Sequence, residues 1–238
     1  MISFIIPTKN EEKVIEKILR CLLEYQGEKE IIVSDGQSTD NTISIAQKYA
    51  TVIEHKGAVR QKISEGRNRG AENAHGEYFL FLDADVYIPN INLFMQKAEV
   101  FFKSDKNLVG LTVPVKVFKK QETLADKLIF SILNFFHLIS NNYFGIGASG
   151  GEFQMVRKVI FQKTGGYRED LVASEDYEFF KRISKIGRTY FAKNLVIYHT
   201  GRRAHKIGWP KLLTEWLLNF FFVLFKKKSH SKEWEVVR

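Results

Sequence analysis

Asp83 and Asp85 follow directly on Tyr78-Phe79-Leu80-Phe81-Leu82 and are separated from each other only by Ala84. The unbroken apolar run reads as a buried strand. In an open α/β sheet such a strand carries the residues after it to the C-terminal edge, where ligands bind. Two carboxylates this close repel each other unless a cation joins them, and a hard divalent ion carrying a diphosphate meets that need. Other strand ends carry groups suited to a nucleotide. Pro7-Thr8-Lys9-Asn10-Glu11-Glu12 follows the first apolar run, Asp35-Gly36-Gln37-Ser38-Thr39-Asp40 the second, and Gly66-Arg67-Asn68-Arg69-Gly70 precedes the fourth. Asp35 is suited to accept from a base or ribose, and Arg67 to pair with a phosphate or a base edge. Taken singly, Asp35-Gly36 is also an ordinary turn, and arginines are ordinarily solvated. Their coincidence with Asp83 and Asp85 favours a site that handles a nucleoside-diphosphate compound through a metal.

Further along, Ser174-Glu175-Asp176 opens an amphipathic pattern with Phe179, Phe180 and Ile183 on its apolar face. With Ser174 as N-cap, both acids fall in the first turn. There the positive end of the helix dipole favours a charged carboxylate, the form a general base requires. Acids are also simply common at helix starts. The Gly-rich loop 145–151 allows backbone to approach a ligand closely, and His199-Thr200-Gly201-Arg202-Arg203 ends another predicted strand.

The combination Pro7-Thr8-Lys9-Asn10-Glu11, Asp35-Gly36-x-Ser38-Thr39-Asp40, Arg67-Asn68-x-Gly70…Ala74-x-Gly76 and Phe81-Leu82-Asp83-Ala84-Asp85 resembles glycosyltransferase family 2 over roughly residues 1–205. That family is inverting and has the GT-A fold, a Rossmann-like α/β arrangement. The resemblance implies a UDP- or GDP-linked nucleotide-sugar donor and Mn²⁺ or Mg²⁺ at the Asp-x-Asp motif. It implies a donor site formed by Pro7, Thr8, Asn10, Glu11, Asp35, Arg67, Asp83 and Ala84, with Asp35 and Arg67 at the nucleobase. Asp85 would ligate the metal, with Asp83 beside the ribose or the metal. In the Glu175–Asp176 pair, Asp176 would be the base, and Glu175, Gly150 and Gly151 would line the acceptor site. Arg202 and Arg203 would clamp the diphosphate and His199 would be a third metal ligand. The acceptor would be a hydroxyl or phosphate borne by a glycan or a polyprenyl lipid. Two other classes compete. A sugar-phosphate nucleotidyltransferase would want a Gly-rich loop after the first strand, where this chain has no glycine. A non-catalytic nucleotide-sugar-binding or membrane-surface module would suit the basic charge alone.

The elements that must position these groups alternate in the first half. Strands are expected over 3–6, 30–34, 51–54 and 78–82. Between them come a helix over 11–25, with Val14, Ile18, Cys21, Leu22 and Tyr25 on one stripe, a helix capped by Ser38 or Thr39, and a polar helix within 57–75. Strands joined by single helices predict an α/β fold with a mainly parallel central sheet flanked by helices. The second half predicts helices over 92–103, 123–139 and 174–186, one strand over 109–117 and one or two within 188–198. An apolar helix over 212–225 ends in Lys226-Lys227-Lys228. A GT-A domain over 1–205 with an apolar helical C-terminal appendage over 206–238 is the expected organisation.

The 238 residues are 45% hydrophobic, enough for a substantial core, and Phe outnumbers Trp 20 to 3. The net charge of +9 favours anionic partners, but no zinc finger, RNA-recognition motif or basic helix array points to nucleic acid. The lone Cys21 excludes an intrachain disulfide. Neither a signal peptide nor an apolar stretch of the roughly 20 residues that cross a bilayer is visible. A cytoplasmic protein is expected, peripheral on the inner face of the cell membrane, because the aromatic, lysine-flanked helix over 212–225 suits a headgroup layer.

Overall fold

The structure is a computed structural model that describes residues 1–233 and 237. Among these residues the apolar runs of the first half form β1 (Ile2–Thr8), β2 (Lys29–Asp35), β3 (Thr51–Glu54) and β4 (Tyr78–Leu82). Side chains alternate across these strands as the pleat requires. Ile2, Phe4 and Ile6 of β1 and Tyr78, Leu80 and Leu82 of β4 join one buried layer; Ile5, Phe79 and Phe81 join the other. Helices α1 (Ile15–Leu23), α2 (Thr42–Ala46) and α4 (Ile91–Ser104) contribute to the first layer, and α3 (Ile63–Glu72) to the second. Cys21 is buried on α1, its Sγ 3.3 Å from the Ile88 carbonyl. Ser38 and Thr39 do not cap α2. The helix starts after Asn41, and Ser38 is held by Asp35 instead.

The second half comprises β5 (Leu108–Thr112), β6 (Val115–Val117), α5 (Leu124–Asn142), β7 (Phe153–Arg157), α6 (Lys158–Thr164) and α7 (Glu175–Ile183). It continues with β8 (Arg188–Phe191), β9 (Ile197–His199), α8 (Arg202–Ile207), α9 (Trp209–Phe221) and a π-helical turn, Phe222–Lys226. The main sheet has the order β3-β2-β1-β4-β7-β5-β8. β7 is antiparallel to β4 and β5, and the other pairs are parallel. The expected mainly parallel sheet is present, with one reversed strand that the sequence does not disclose. Gln154 and Arg157 break the apolar pattern of β7, yet both are satisfied inside. Gln154 is fully buried, accepts from the Tyr167 hydroxyl and donates 3.0 Å to the Asp176 carbonyl; Arg157 donates to the carbonyls of Leu108 and Phe102. The single strand expected over 109–117 is two. Pro114 has no N–H to give a ladder, and beyond it β6 leaves the main sheet to pair in parallel with β9.

Helix α9 begins at Trp209, with Pro210 in its first turn. It is tied to α5 through one fully buried carboxylate. Asp126 Oδ1 accepts from the Trp209 indole at 2.8 Å, while Oδ2 stands 2.7 Å from His205 Nε2 and closes a capping box with Thr123. Burial alone would raise its pKa. The hydrogen bonds from His205, Thr123 and Trp209 outweigh that and hold it below the usual carboxylate range. Replacing Asp126 with alanine is expected to lower the unfolding free energy by about 2–3 kcal/mol in urea titrations, because the indole and a helix start lose a buried acceptor together. An unchanged midpoint would show that α8 and α9 contribute nothing to the fold through this residue.

Candidate active site

The C-terminal ends of β1, β2 and β4 face a cleft of about 580 Å³. Pro7, Thr8, Lys9 and Glu11 enter it after β1, Gly36 after β2, and Asp83, Ala84 and Asp85 after β4. Arg67 reaches it from α3, Gly150 and Gly151 from the loop before β7, Glu175 and Asp176 from the start of α7, and His199, Arg202 and Arg203 from β9 and α8. The structure therefore brings together nearly all the residues singled out in the sequence. Asn10 and Asp35 are the exceptions. Asp35 is fully buried and accepts from the Ser38 amide at 2.8 Å and hydroxyl at 2.5 Å, with Thr8 Oγ1 at 3.3 Å. Asn10 adopts φ 55° and accepts from the Thr39 amide. Both carboxamide and carboxylate fasten the β1 and β2 loops to each other.

Arg67 is the hub. Only 1% of it is exposed. Nη1 donates to Glu175 Oε1 at 2.7 Å, while Nη2 lies 3.3 Å from the Gly151 carbonyl and 3.5 Å from Asp83 Oδ1. The guanidinium also stacks 5.2 Å from the Tyr167 ring centroid. Burial opposes its charge, but Glu175, Tyr167, Asp83 and Asp176 more than offset that, so it stays protonated. Gly151 is required here, since a Cβ would strike Arg67 Nη2. Gly147 is equally constrained, because a Cβ would run into the Phe180 carbonyl of α7.

Arg202 forms a two-pronged ion pair with Glu11 at 2.6 and 2.8 Å, and its Nε stands 3.4 Å from Asp85. Its fork is thus filled by protein carboxylates. Thr200 also donates to Asp85. These contacts follow from a two-residue antiparallel bridge: Tyr87 and Tyr198 exchange hydrogen bonds of 2.7 and 3.0 Å, which draws the end of β9 against the Asp-x-Asp loop.

The carboxyls are under strain from one another. Burial, and after it Glu175, lifts Asp176 from 3.8 to about 7. The helix N-terminus therefore does not dominate: its effect is worth about 0.3–1 kcal/mol, less than one pKa unit. Burial also raises Asp83, with the Asp85 charge adding to the rise and Arg67 opposing it. Glu152, which the sequence reading does not select, lines the cleft beside them and is pushed up to about 8 by burial and by Asp83. Its signal is its place immediately after Gly150-Gly151.

Such a crowd of acids favours a counter-charge beside it. His199 suits such a charge as well. Its ring packs on Phe130, burial keeps it neutral, and its buried Nε2 has no hydrogen-bond partner. Among the described residues no group of three or more acid, histidine or cysteine side chains stands close enough together to hold a metal ion by itself. An open set of one or two carboxylates completed by substrate phosphates is the usual arrangement for Mg²⁺.

With this geometry in place, the comparisons are specific. The family model for Glycosyl transferase family 2 matches residues 3–165, and the chain belongs to that family. The poly(ribitol-phosphate) β-N-acetylglucosaminyltransferase TarS of Staphylococcus aureus is 33% identical over 149 residues, which are 56% of this chain and 26% of TarS. The β-monoglucosyldiacylglycerol synthase of Nostoc sp. is 24% identical over 260 residues, 99% of this chain and 54% of the synthase. The chain thus spans about a quarter of the first relative's length and about half of the second's. Among solved structures, a mannosyltransferase from Pyrobaculum calidifontis in complex with GDP-Man and Mn²⁺ superposes with a TM-score of 0.74 at 18% identity, over 94% of this chain and 64% of that one. S. aureus TarS 1–349 in complex with UDP superposes at 0.68 and 20% identity, over 94% and 72%. These likenesses establish the GT-A fold.

Replacing Arg67 with methionine leaves Glu175 buried without its cation and is expected to cost about 3–5 kcal/mol in urea unfolding. Adding Glu175→Leu should recover part of that loss, so the double-mutant cycle should show a coupling well above 1 kcal/mol. Simple additivity would mean that the two side chains do not depend on each other.

Proposed function

We propose that the protein is an inverting, metal-dependent glycosyltransferase that moves a sugar from a UDP- or GDP-linked donor to an acceptor hydroxyl. The observation that carries this is the convergence of Asp83, Asp85 and Asp176 on one cleft, with Asp83 3.5 Å from the buried Arg67 and Asp85 3.4 Å from Arg202. The nucleotide lies across the ends of β1 and β2, against Pro7, Thr8, Gly36 and the start of α3. Asp35 and Asn10 act there by fixing the two loops. The diphosphate lies over Asp83, Ala84 and Asp85. Asp85 and His199, with Asp83, are the residues that would hold Mn²⁺ or Mg²⁺. A divalent cation there supplies positive charge for the leaving diphosphate.

Arg202 holds Asp85 in place through the Glu11 pair, and Arg203 adds positive charge at the same end of the cleft. Asp176 takes the proton from the acceptor hydroxyl. The oxygen attacks the anomeric carbon from the face opposite the diphosphate, and the sugar–phosphate bond pair leaves with the nucleotide. Gln154 fixes the backbone of Asp176 from below, and Gly150, Gly151 and Glu175 border the space for the acceptor. The acceptor group is a hydroxyl borne by a glycan or a lipid.

An Asp176→Asn protein should bind nucleoside diphosphate with Mn²⁺ as the parent does, read as an equal thermal shift, and lose transfer by about 10²–10⁴-fold. Unchanged turnover would remove Asp176 from the role of base. Since the active form is deprotonated and burial raises its pKa to about 7, log kcat/KM should fall with unit slope as pH drops through the neutral range and level off above it. Chelation with EDTA should abolish transfer, and added Mn²⁺ or Mg²⁺ should restore it. Full activity after exhaustive chelation would refute the metal assignment.

A further inference from the structure

The cleft does not end at Asp176. It continues between α5 and α9 as an arm lined by Phe130, Leu133, His137, Trp209, Leu212 and Trp216, with the C-terminal Lys232, Glu233 and the buried Val237 also bordering the cavity. A nucleotide sugar has no use for such a wall. His137 is the polar ring in this wall; burial depresses its pKa to about 4, so it is neutral. The contacts Phe130–Trp209, with centroids 5.7 Å apart, and Phe136–Phe220, at 6.3 Å, set the two helices side by side.

The opposite faces of the same helices carry a second anomaly. On α5 the residues turned from the cleft are Leu124, Leu128, Ile132, Phe135 and Phe136, from 42% to 88% exposed. On α9 they are Leu217, Leu218 and Phe221, with Phe225 beyond them at 74%. A helix apolar on both sides is buried on both sides in its working state, and an exposed patch of this kind marks an interaction surface. Lys119, Lys120 and Lys127 flank the start of α5, and Lys226, Lys227 and Lys228 close the C-terminal helix; all six are exposed. Aromatic and aliphatic side chains rimmed by lysines match an anionic bilayer, with the apolar groups at the acyl boundary and the ammonium groups among phosphates. Among the described residues no helix is long and apolar enough to cross a membrane, so the attachment is to one leaflet.

We infer that the acceptor is a membrane-resident amphiphile. The outer faces of α5 and α9 rest on an anionic lipid surface, the acceptor's apolar portion enters the arm between the two helices, and its polar head presents the hydroxyl to Asp176. This rests on the transferase reading for the last step only; surface binding and arm occupancy are independent of it.

The test uses the full chain and vesicles of phosphatidylglycerol or phosphatidylcholine, some with brominated acyl chains that quench tryptophan on contact. The protein should sediment with phosphatidylglycerol vesicles and not with phosphatidylcholine alone. Replacing Lys226, Lys227 and Lys228 with glutamine, or making Phe135→Ser together with Phe221→Ser, should weaken partitioning by about tenfold or more. Brominated chains should quench a component of the fluorescence that Trp216→Phe removes. Failure to sediment, or dimerisation in solution abolished by Phe135→Ser and Phe221→Ser, would overturn the proposal. Sedimentation without any Trp216 component would overturn the arm as the lipid site. A nucleoside-diphosphate thermal shift measured on the same samples reports the donor site separately, so failure of one reading is distinguishable from failure of the other.

Discussion

One buried guanidinium organises this molecule. Arg67 lies on α3, yet its partners come from the start of α7, the loop before β7 and the end of β4. Removing a full charge from water costs several kcal/mol, and only close, well-directed carboxylates and carbonyls offset it. Glu175, Asp83, the Gly151 carbonyl and the Tyr167 ring do so together. The reverse is also true: without that positive charge, Asp83, Glu175 and Asp176 would stand in mutual repulsion with little solvent to screen them. Geometry and electrostatics are therefore the same constraint, and the close approach of Gly151 is part of it.

The remaining cleft contacts repeat that logic at its other end. Glu11 and Arg202 form a second charged pair that steers Asp85, and the Tyr87–Tyr198 bridge brings Thr200 to the same carboxylate. Between the two cationic side chains lies a band of acids whose protons are held unusually tightly, Glu152 among them. A band like that is poised for a counter-charge delivered with the substrate. Preorganisation of this kind leaves little to rearrange when a negative leaving group forms.

Much of this was legible in residue order. The Phe-rich run before Asp83 could only be a buried strand, and the acids at successive strand ends had to meet at one edge of a parallel sheet. What could not be read was the outcome of tertiary competition. Asp35 and Asn10 carry the right chemistry for a ligand but spend it on a turn, a choice set by Ser38 and Thr39 coming within reach. Asp176 occupies a helix start that should favour its charge, and burial reverses the preference. β7 escaped notice because Gln154 and Arg157 are polar, and their partners, Tyr167, Leu108 and Phe102, are distant in sequence. Pro114, by contrast, was a visible reason to divide the strand around it.

The reversed strand β7 has a consequence for how the chain acquires its shape. It is wedged between β4 and β5, so the parallel part of the sheet, β3-β2-β1-β4, is built from strands that follow one another in the chain and can form as the chain emerges, with β4 as a temporary raw edge. Closure waits for Phe153–Arg157, which is made more than seventy residues after β4 begins. Contacts of that separation are slow to form, and an open apolar edge is a template for foreign strands in the meantime. The molecule's most vulnerable moment therefore falls between synthesis of the Asp-x-Asp loop and arrival of the strand that seals it, and overcrowded expression would be felt as aggregation at that seam.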